Sequence, residues 1–383
     1  MTAYDWLVVG AGITGAALAY ELQKAGFKVG LIEPNPDLQG GSRWGYGGIP
    51  YWAGSDLVTQ TISAQGWQKY QGLSEDLGID IGLRELPLLL TIAPEQDSGT
   101  MPGNLLSPDQ AAQLEPLLNP RAIAGAWLLN HAHVSPVQLC EAYIQAFQTR
   151  GGKLIFAKAQ QISTHKILTD QTSLAADQIA ICSGGWSREL LARSRFQVKL
   201  YFTHCEVFES DPTDLELRCM VMPLTSNRLD LERQISQAAY ETNWQQQRLI
   251  PTFDQISIDV GAVQFSDRSL KIGQSSYIHP DPNFTPDLDS HQIALFEQVK
   301  WVLPGLTTLK GTYHHCLVGF SPDALPLIGA LPQEPNIHLF TSFTTPMIYA
   351  PPLAERFAQR FAASFRQADP ILDRLSPQRF DQT

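Results

Sequence analysis

The stretch YDWLVVGAGITGAALAYELQKAGFKVGLIEPN, Tyr4 to Asn35, leaves few folds open to this chain. An apolar strand begins near Tyr4, with Trp6–Val9 as its buried run, and ends in a glycine turn. A helix follows from about Ile13 to Ala25, Gly26 stops it, and Lys28–Glu33 reads as a second strand. This order is a βαβ unit. Gly10 permits the tight turn, Gly12 lets backbone approach a pyrophosphate at the helix N-terminus, and Gly15 lets helix and strand pack closely. Glu33 ends the second strand, where its carboxylate can accept from a ribose 2′-OH and would repel a 2′-phosphate. NAD and FAD share this fingerprint, so the remainder of the chain must decide between them.

Composition narrows the class. With 383 residues the chain can hold two domains or one interleaved fold, and 28 Gly and 26 Pro at 44% hydrophobic content describe a globular protein rich in turns. No apolar run approaches the ~18 residues of a membrane span. A net charge of −11 without clustered Lys and Arg argues against a nucleic-acid partner. Five cysteines lacking CxxC spacing suggest neither a disulfide framework nor a zinc site, so no metal is expected and a reducing compartment is. The segment after Met1 has no basic leader, which points to a cytoplasmic protein of undetermined oligomeric state.

Further glycine clusters extend the pattern. GGSRWGYGGIPYWAG, Gly40 to Gly54, has too many glycines for an ordinary linker and suits close backbone approach to something flat or anionic. HVSPVQLCEAYIQAFQTRGGKLIFA offers Ser135 as N-cap, Pro136 as first helical residue, Gly151 as stop and a strand beyond. IAICSGGWSRELL is a buried strand meeting a Gly-Gly turn and a helix, and SPDALPLIG lies near the C-terminus.

With these motifs the chain resembles the FAD-dependent D-amino-acid-oxidase superfamily, which includes glycine oxidase and sarcosine oxidase. The likeness rests on GAGITG, the Gly-Ser-Arg-Trp-Gly loop, SGGWS and SPDALPLIG, and covers almost the whole sequence. It implies an α/β plus α+β architecture, a Rossmann-like FAD-binding domain interleaved with a mainly antiparallel-sheet substrate domain. The implied FAD pieces lie near 1–85, 136–197 and 306–383, and the substrate pieces near 86–135 and 198–305. It also implies a cofactor-binding set: Gly10, Gly12, Ile13, Thr14, Gly15, Glu33 and Pro34; Gly41, Ser42, Arg43, Trp44 and Gly45; Ile162, Gly184 and Trp186; and Cys316, Pro346, Met347 and Ile348.

Within the superfamily, the local sequence around Cys316 is similar to that of monomeric sarcosine oxidase. Its flavin-bearing cysteine lies seven residues before the aspartate of a Thr-Pro-Asp motif, the spacing of Cys316 from Asp323 in Ser321-Pro322-Asp323. The resemblance therefore implies an 8α-thioether at Cys316, with His314 or His315 as base; a small buried cysteine with no such link is the plainer reading. SLKIGQSS likewise matches the segment whose lysine promotes reaction with oxygen, which makes Lys271 the candidate catalytic cation, and Ser275 stands where the relative has an active-site histidine.

The family's carboxylate anchors are absent, since their positions correspond to Val318, Tyr51 and Tyr349. Arg43 belongs to the flavin loop and Arg268 to a turn, so neither is a convincing substitute. Tyr51 and Tyr349 instead suggest an aromatic substrate pocket. The usual C-terminal Gly-His-Gly is replaced by FTTPMIY, and a helix is expected from about Pro351 through Phe365, its positive end available to the flavin. These readings imply an FAD-dependent oxidase of a CH–NH donor, an amine or amino acid, with molecular oxygen as second substrate, giving imine and hydrogen peroxide. The alternatives are a flavin dehydrogenase of a hydroxy acid or amino acid passing electrons to a quinone or carrier, and a flavoprotein whose FAD is structural or non-redox.

Overall fold

The computed structural model describes residues 4–253, 255–362 and 368–380. The chain divides into two compact units, one of 1–83, 134–202 and 317–383, the other of 84–133 and 203–316.

The first unit is built on a parallel sheet. Strand Tyr4–Val9 lies between Val29–Glu33 and Ser173–Ile181; beyond them lie Lys153–Phe156 on one side and Glu334–Thr341 on the other, all parallel. Leu327–Leu331 adds an antiparallel edge to Glu334–Thr341. Such a sheet needs cover on both faces, which is why its strands are nearly continuous apolar runs. Leu7, Val9, Ile32, Ile179, Ile181, Ile337 and Leu339 form one buried core. Helix Ile13–Lys24 follows the first strand, with Ala25 as C-cap and Gly26 at φ +96° ending it. Ser135 caps helix Pro136–Thr149 by accepting from Gln138 N, and Pro136 is its first residue.

The C-terminal helix departs from expectation. It spans Pro346–Ala362, starting five residues earlier than Pro351, with Pro351 and Pro352 inside it; positions 363–365 of the expected span lie outside the described residues. Pro346 serves as the starting proline. The two later prolines lack the N–H groups that would reach the carbonyls of Met347 and Ile348. Tyr70, on helix Leu57–Leu77, supplies a substitute by donating its hydroxyl to Met347 O at 2.8 Å. Gly66 of the same helix leaves room for the other carbonyl, since a Cβ there would lie 2.2 Å from Ile348 O.

The second unit centres on a sheet ordered Gly311–Phe320, Tyr201–Ser210, Leu270–Tyr277, Ser257–Gln264, Met220–Pro223, Leu88–Ile92, Gly125–Leu129 and Asn104–Leu106. Met220–Pro223 pairs in parallel with Leu88–Ile92, whereas the pairings of Leu270–Tyr277 with Tyr201–Ser210 and Ser257–Gln264, of Ser257–Gln264 with Met220–Pro223, and of Gly125–Leu129 with both its neighbours are antiparallel. Its first two strands run across the unit boundary, Tyr201 and Phe202 belonging to the first unit and Gly311–Cys316 to the second. Leu270, Ile272, Phe208, Val221 and Ala262 pack with Leu295 and Val299 of helix Leu288–Val302. Side chains alternate along a strand, so the residues between these point the other way and carry the chemistry described below.

Candidate active site

In the first unit the glycine turn forms a cradle that side chains would fill. Gly10 stands at φ +100°, and a Cβ there would lie 2.7 Å from Cys182 O; one at Gly15 would lie 1.8 Å from Gly10 O. Gly12 caps the helix with no side-chain hydrogen bond. Ile13 N donates to Ser42 Oγ at 3.0 Å, and Thr14 Oγ1 donates to Cys182 O at 3.4 Å. Thr14 and Gly15 lie in the first turn, where backbone N–H groups have no helical acceptor and favour an anion. Glu33 sits beside the turn, accepting from Ala11 N at 2.8 Å and Asn35 N at 3.3 Å. Burial pushes its carboxyl up from the ordinary range, and those two hydrogen bonds oppose the push. Pro34 is exposed.

The second glycine cluster folds as the short helix Gly41–Trp44 between Gly40 and Gly45. Arg43 stacks its guanidinium on Trp44, 4.4 Å from the ring centroid. A Cβ at Gly41 would lie 3.4 Å from Leu317 O and 3.8 Å from a Val318 methyl, so backbone and apolar side chain of strand Gly311–Phe320 approach this loop. Gly184 lies at φ +54° in the turn before helix Ser187–Arg193, and the neighbouring Trp186 ring is 43% exposed. Ile162 is buried in the sheet's core, and its N–H donates to Ser194 Oγ at 2.8 Å. Tyr51 stacks on Trp67, ring centroids 4.6 Å apart. Tyr349 is buried near the start of the proline helix that also holds Pro346, Met347 and Ile348, and burial pushes its phenol up.

In the second unit Lys271 is among the largest fully buried side chains, its Nζ 4.8 Å over the Phe265 ring. Its strand and Tyr201–Ser210 bring Cys205 and Ser276 together, sulfur to hydroxyl 3.7 Å. Cys316 lies at depth although part of its surface remains open. Loss of solvation pushes its thiol well above the ordinary cysteine range; Cys205 adds to that push, and Arg228 and Lys271 counter it. His314 Nε2 is 3.8 Å from Glu209, while His315, on the other face of the strand by alternation, meets His204 Nδ1 through Nε2 at 2.9 Å. Ser275 is also on that other face, accepting from Tyr313 Oη at 2.8 Å in a network with Glu206 and His291. Arg268 occupies the turn between two strands at φ +68° with its Nη2 3.7 Å from Asp214.

A group absent from the sequence reading appears on the face of Lys271: Arg228 and Glu232 of helix Asn227–Ile235, with Thr203 and Asp259. In sequence, an i,i+4 Arg/Glu pair in the polar run NRLDLERQ resembles a solvated helix face. Among the described residues no cluster of three or more His, Cys, Asp or Glu side chains could hold a metal ion.

The parallel sheet, the glycine-led helix start and the cradle at Gly10 define a dinucleotide-binding protein, and they fit the pyrophosphate of an adenine dinucleotide. The chain matches the model of the FAD dependent oxidoreductase family, DAO, over residues 5–360, and it belongs to that family of FAD-dependent oxidoreductases. It is 28% identical over 260 residues to glycine oxidase of Geobacillus kaustophilus, covering 59% of this chain and 68% of that one. The crystal structure of that enzyme superposes with a TM-score of 0.78 at 20% identity, over 98% of each chain. L-proline dehydrogenase from P. horikoshii gives a TM-score of 0.77 at 16% identity, over 100% of this chain and 98% of that one. The 4-methylaminobutanoate oxidase (formaldehyde-forming) of Paenarthrobacter nicotinovorans is 26% identical over 221 residues, 51% of this chain but only 26% of that longer protein. No described helix is long and apolar enough to cross a membrane.

Proposed function

We propose that this protein is an oxidase of a CH–NH donor, an amine or amino acid, acting in a reducing compartment such as the cytoplasm. The bound flavin would supply the redox chemistry, taking hydride from the carbon bearing nitrogen and returning both electrons to oxygen, with imine and hydrogen peroxide as products. The chain's residues would bind, orient and tune. The glycine turn with Ser42 and Glu33 would hold pyrophosphate and ribose, and Arg43 with Trp44 would line the loop near the cofactor. Gly41, Gly45, Gly184 and the backbone at Ile162 and Trp186 would complete that lining, with Pro346, Met347 and Ile348 giving a positive helix start. Tyr51 and Tyr349 would wall the substrate position.

One observation carries the oxidase reading: Lys271 is fully buried on an apolar strand, its Nζ over the Phe265 ring. A positive charge held at that depth would stabilise negative charge developing on oxygen, which is the role an oxidase needs. The second reading, a dehydrogenase serving a quinone or carrier, draws support from the likeness to L-proline dehydrogenase. The test is to reduce the holoprotein anaerobically with an amine panel and then mix it with oxygenated buffer. Lys271→Met is expected to slow reoxidation about a hundredfold while leaving amine-driven reduction within a few-fold, roughly the weight of one oxyanion-stabilising group. Unchanged reoxidation in that variant, together with turnover only on an artificial acceptor, selects the dehydrogenase.

A further inference from the structure

The second unit holds an open cavity of about 490 Å3 that the chemistry above leaves unused. Every residue lining it belongs to that unit. Arg84 supplies its half-buried cation, from the short strand Arg84–Glu85 opposite His133. Nε donates to His133 Nδ1 at 3.3 Å and Nη2 donates to Gln264 O, which together fix the plane of the guanidinium. Nη1 has no partner among the described residues, and no carboxylate among them pairs with this side chain. Burial pushes its pKa down with no counter-ion to restore it, whereas buried Arg228 has Glu232. A cation partly removed from water and left without an anion is the exception in folded proteins.

The walls around Arg84 are held from within the unit. The Gln264 side-chain amide staples two of them: Oε1 accepts from Leu217 N at 3.0 Å, and Nε2 donates to Leu215 O at 2.9 Å and Arg268 O at 3.2 Å. Buried Glu115 secures the same loop by accepting from Arg218 N at 2.7 Å and Cys219 N at 3.0 Å. Phe265 lies edge-to-face on His133, ring centroids 5.1 Å apart, with Lys271 Nζ 4.8 Å over its ring. A cavity fixed in this way loses little freedom when a ligand enters.

The lining also defines the ligand. The Nη1 group of Arg84 can donate charge-assisted hydrogen bonds to a carboxylate. Half-buried Leu86 and Leu215, with Phe265, ask for an apolar body beside it. Asp214 and Glu216, both exposed, line the cavity too and disfavour a ligand of higher negative charge. We propose that this cavity binds a small monocarboxylate with an apolar body, its carboxylate on Arg84 and its hydrocarbon against Leu86, Leu215 and Phe265. The carboxylate belongs to an aliphatic acid or to an amino acid, and the site stands independently of the oxidase reading.

The test is calorimetric titration of the FAD-loaded protein, at matched ionic strength, with 4-methylpentanoate, 4-methylpentanamide, α-methylleucine and inorganic phosphate. The acid is expected to bind at least about tenfold more tightly than the amide, the weight of one charge-assisted hydrogen bond. α-Methylleucine has no α-hydrogen to lose, so it reports binding alone; tighter binding than 4-methylpentanoate names an amino acid as the ligand, and weaker binding names a simple acid. Arg84→Met is expected to bring acid and amide within about twofold of each other with the flavin spectrum unchanged. Ser266→Trp, at an exposed lining position, fills the cavity and is expected to weaken acid and amide alike by at least about tenfold. Should Arg84→Met fail to fold, protection replaces it: 4-methylpentanoate is expected to slow phenylglyoxal modification of Arg84 at least about fivefold, read by peptide mass spectrometry. Equal binding of acid and amide by the parent, an unaltered acid affinity in Ser266→Trp, or unprotected Arg84 overturns the inference. Phosphate binding as tightly as the acid overturns the ligand class.

Discussion

Tyr70 offers a test of how the proline helix is held together. Pro351 has no N–H for Met347 O, and the Tyr70 hydroxyl fills the gap at 2.8 Å; both Tyr70 and Met347 are buried, at 1% and 5% exposure. Tyr70→Phe removes one oxygen and leaves the ring packing in place, so the loss is the cost of a bare buried carbonyl, about 2 kcal/mol. For a cooperative unit of 150–250 residues that corresponds to a fall in Tm of roughly 4–8 °C. Thermal unfolding followed by tryptophan fluorescence measures it directly. The structural explanation also fixes a rescue: in Tyr70→Phe with Pro351→Ala, the restored N–H of residue 351 can reach Met347 O along the helix. The double variant should recover at least ~1 kcal/mol relative to additive behaviour, a coupling of the size expected for groups sharing one partner. A Tyr70→Phe protein melting within about 1 °C of the parent, or strict additivity with Pro351→Ala, would refute the substitution of hydroxyl for amide.

Two further outcomes follow from the second unit and from Cys316. Burial lowers His204 from 6.5 to about 3, with His315 adding to the effect, and burial lowers His131 to about 4. Their folded-state pKa values are depressed, so the unfolded chain binds more protons below pH 6.5 and the stability present above that pH drains away as pH falls toward 4. At pH 5 each histidine costs about 2 kcal/mol; urea titrations between pH 5 and 7.5 should show this slope, and His204→Gln should flatten it, whereas identical slopes in the two proteins contradict the assignment. For Cys316 we expect the yellow colour to stay with the acid-precipitated holoprotein and to be released by Cys316→Ala; colour freed from the parent removes the covalent tether while leaving FAD binding intact.

The parts of the fold that could be read in the sequence are those where local chemistry leaves no alternative. Gly10, Gly15 and Gly26 occupy places where a Cβ clashes or φ is positive, and Ser135-Pro136 has the residue types a helix start requires. The proline helix was misplaced because Pro351-Pro352 reads as a starting signal, whereas the true start is Pro346. What allows two prolines inside is a tertiary contact: Tyr70 supplies a donor from a residue 277 positions away, and no local rule can foresee it. Ser275, which stands where the relative has a histidine, shows a different limit. Alternation from Lys271 would put it on the lysine's face, but a register shift between Gly273 and Ser275 turns its side chain the other way, toward Tyr313 and Glu206.

The chemistry of the candidate site divides along the same line. Lys271 was singled out by the likeness of SLKIGQSS to the family's lysine segment, and the structure buries it rather than leaving it on the sheet's surface. Arg228 was illegible because its helix is polar on paper, and a polar helix normally faces water. Here the helix is turned by Asp259 so that one turn of charge lies inward, where Thr203 and Cys205 meet it. There Arg228 is coupled internally to Glu232, Nη1 to Oε1 at 3.3 Å.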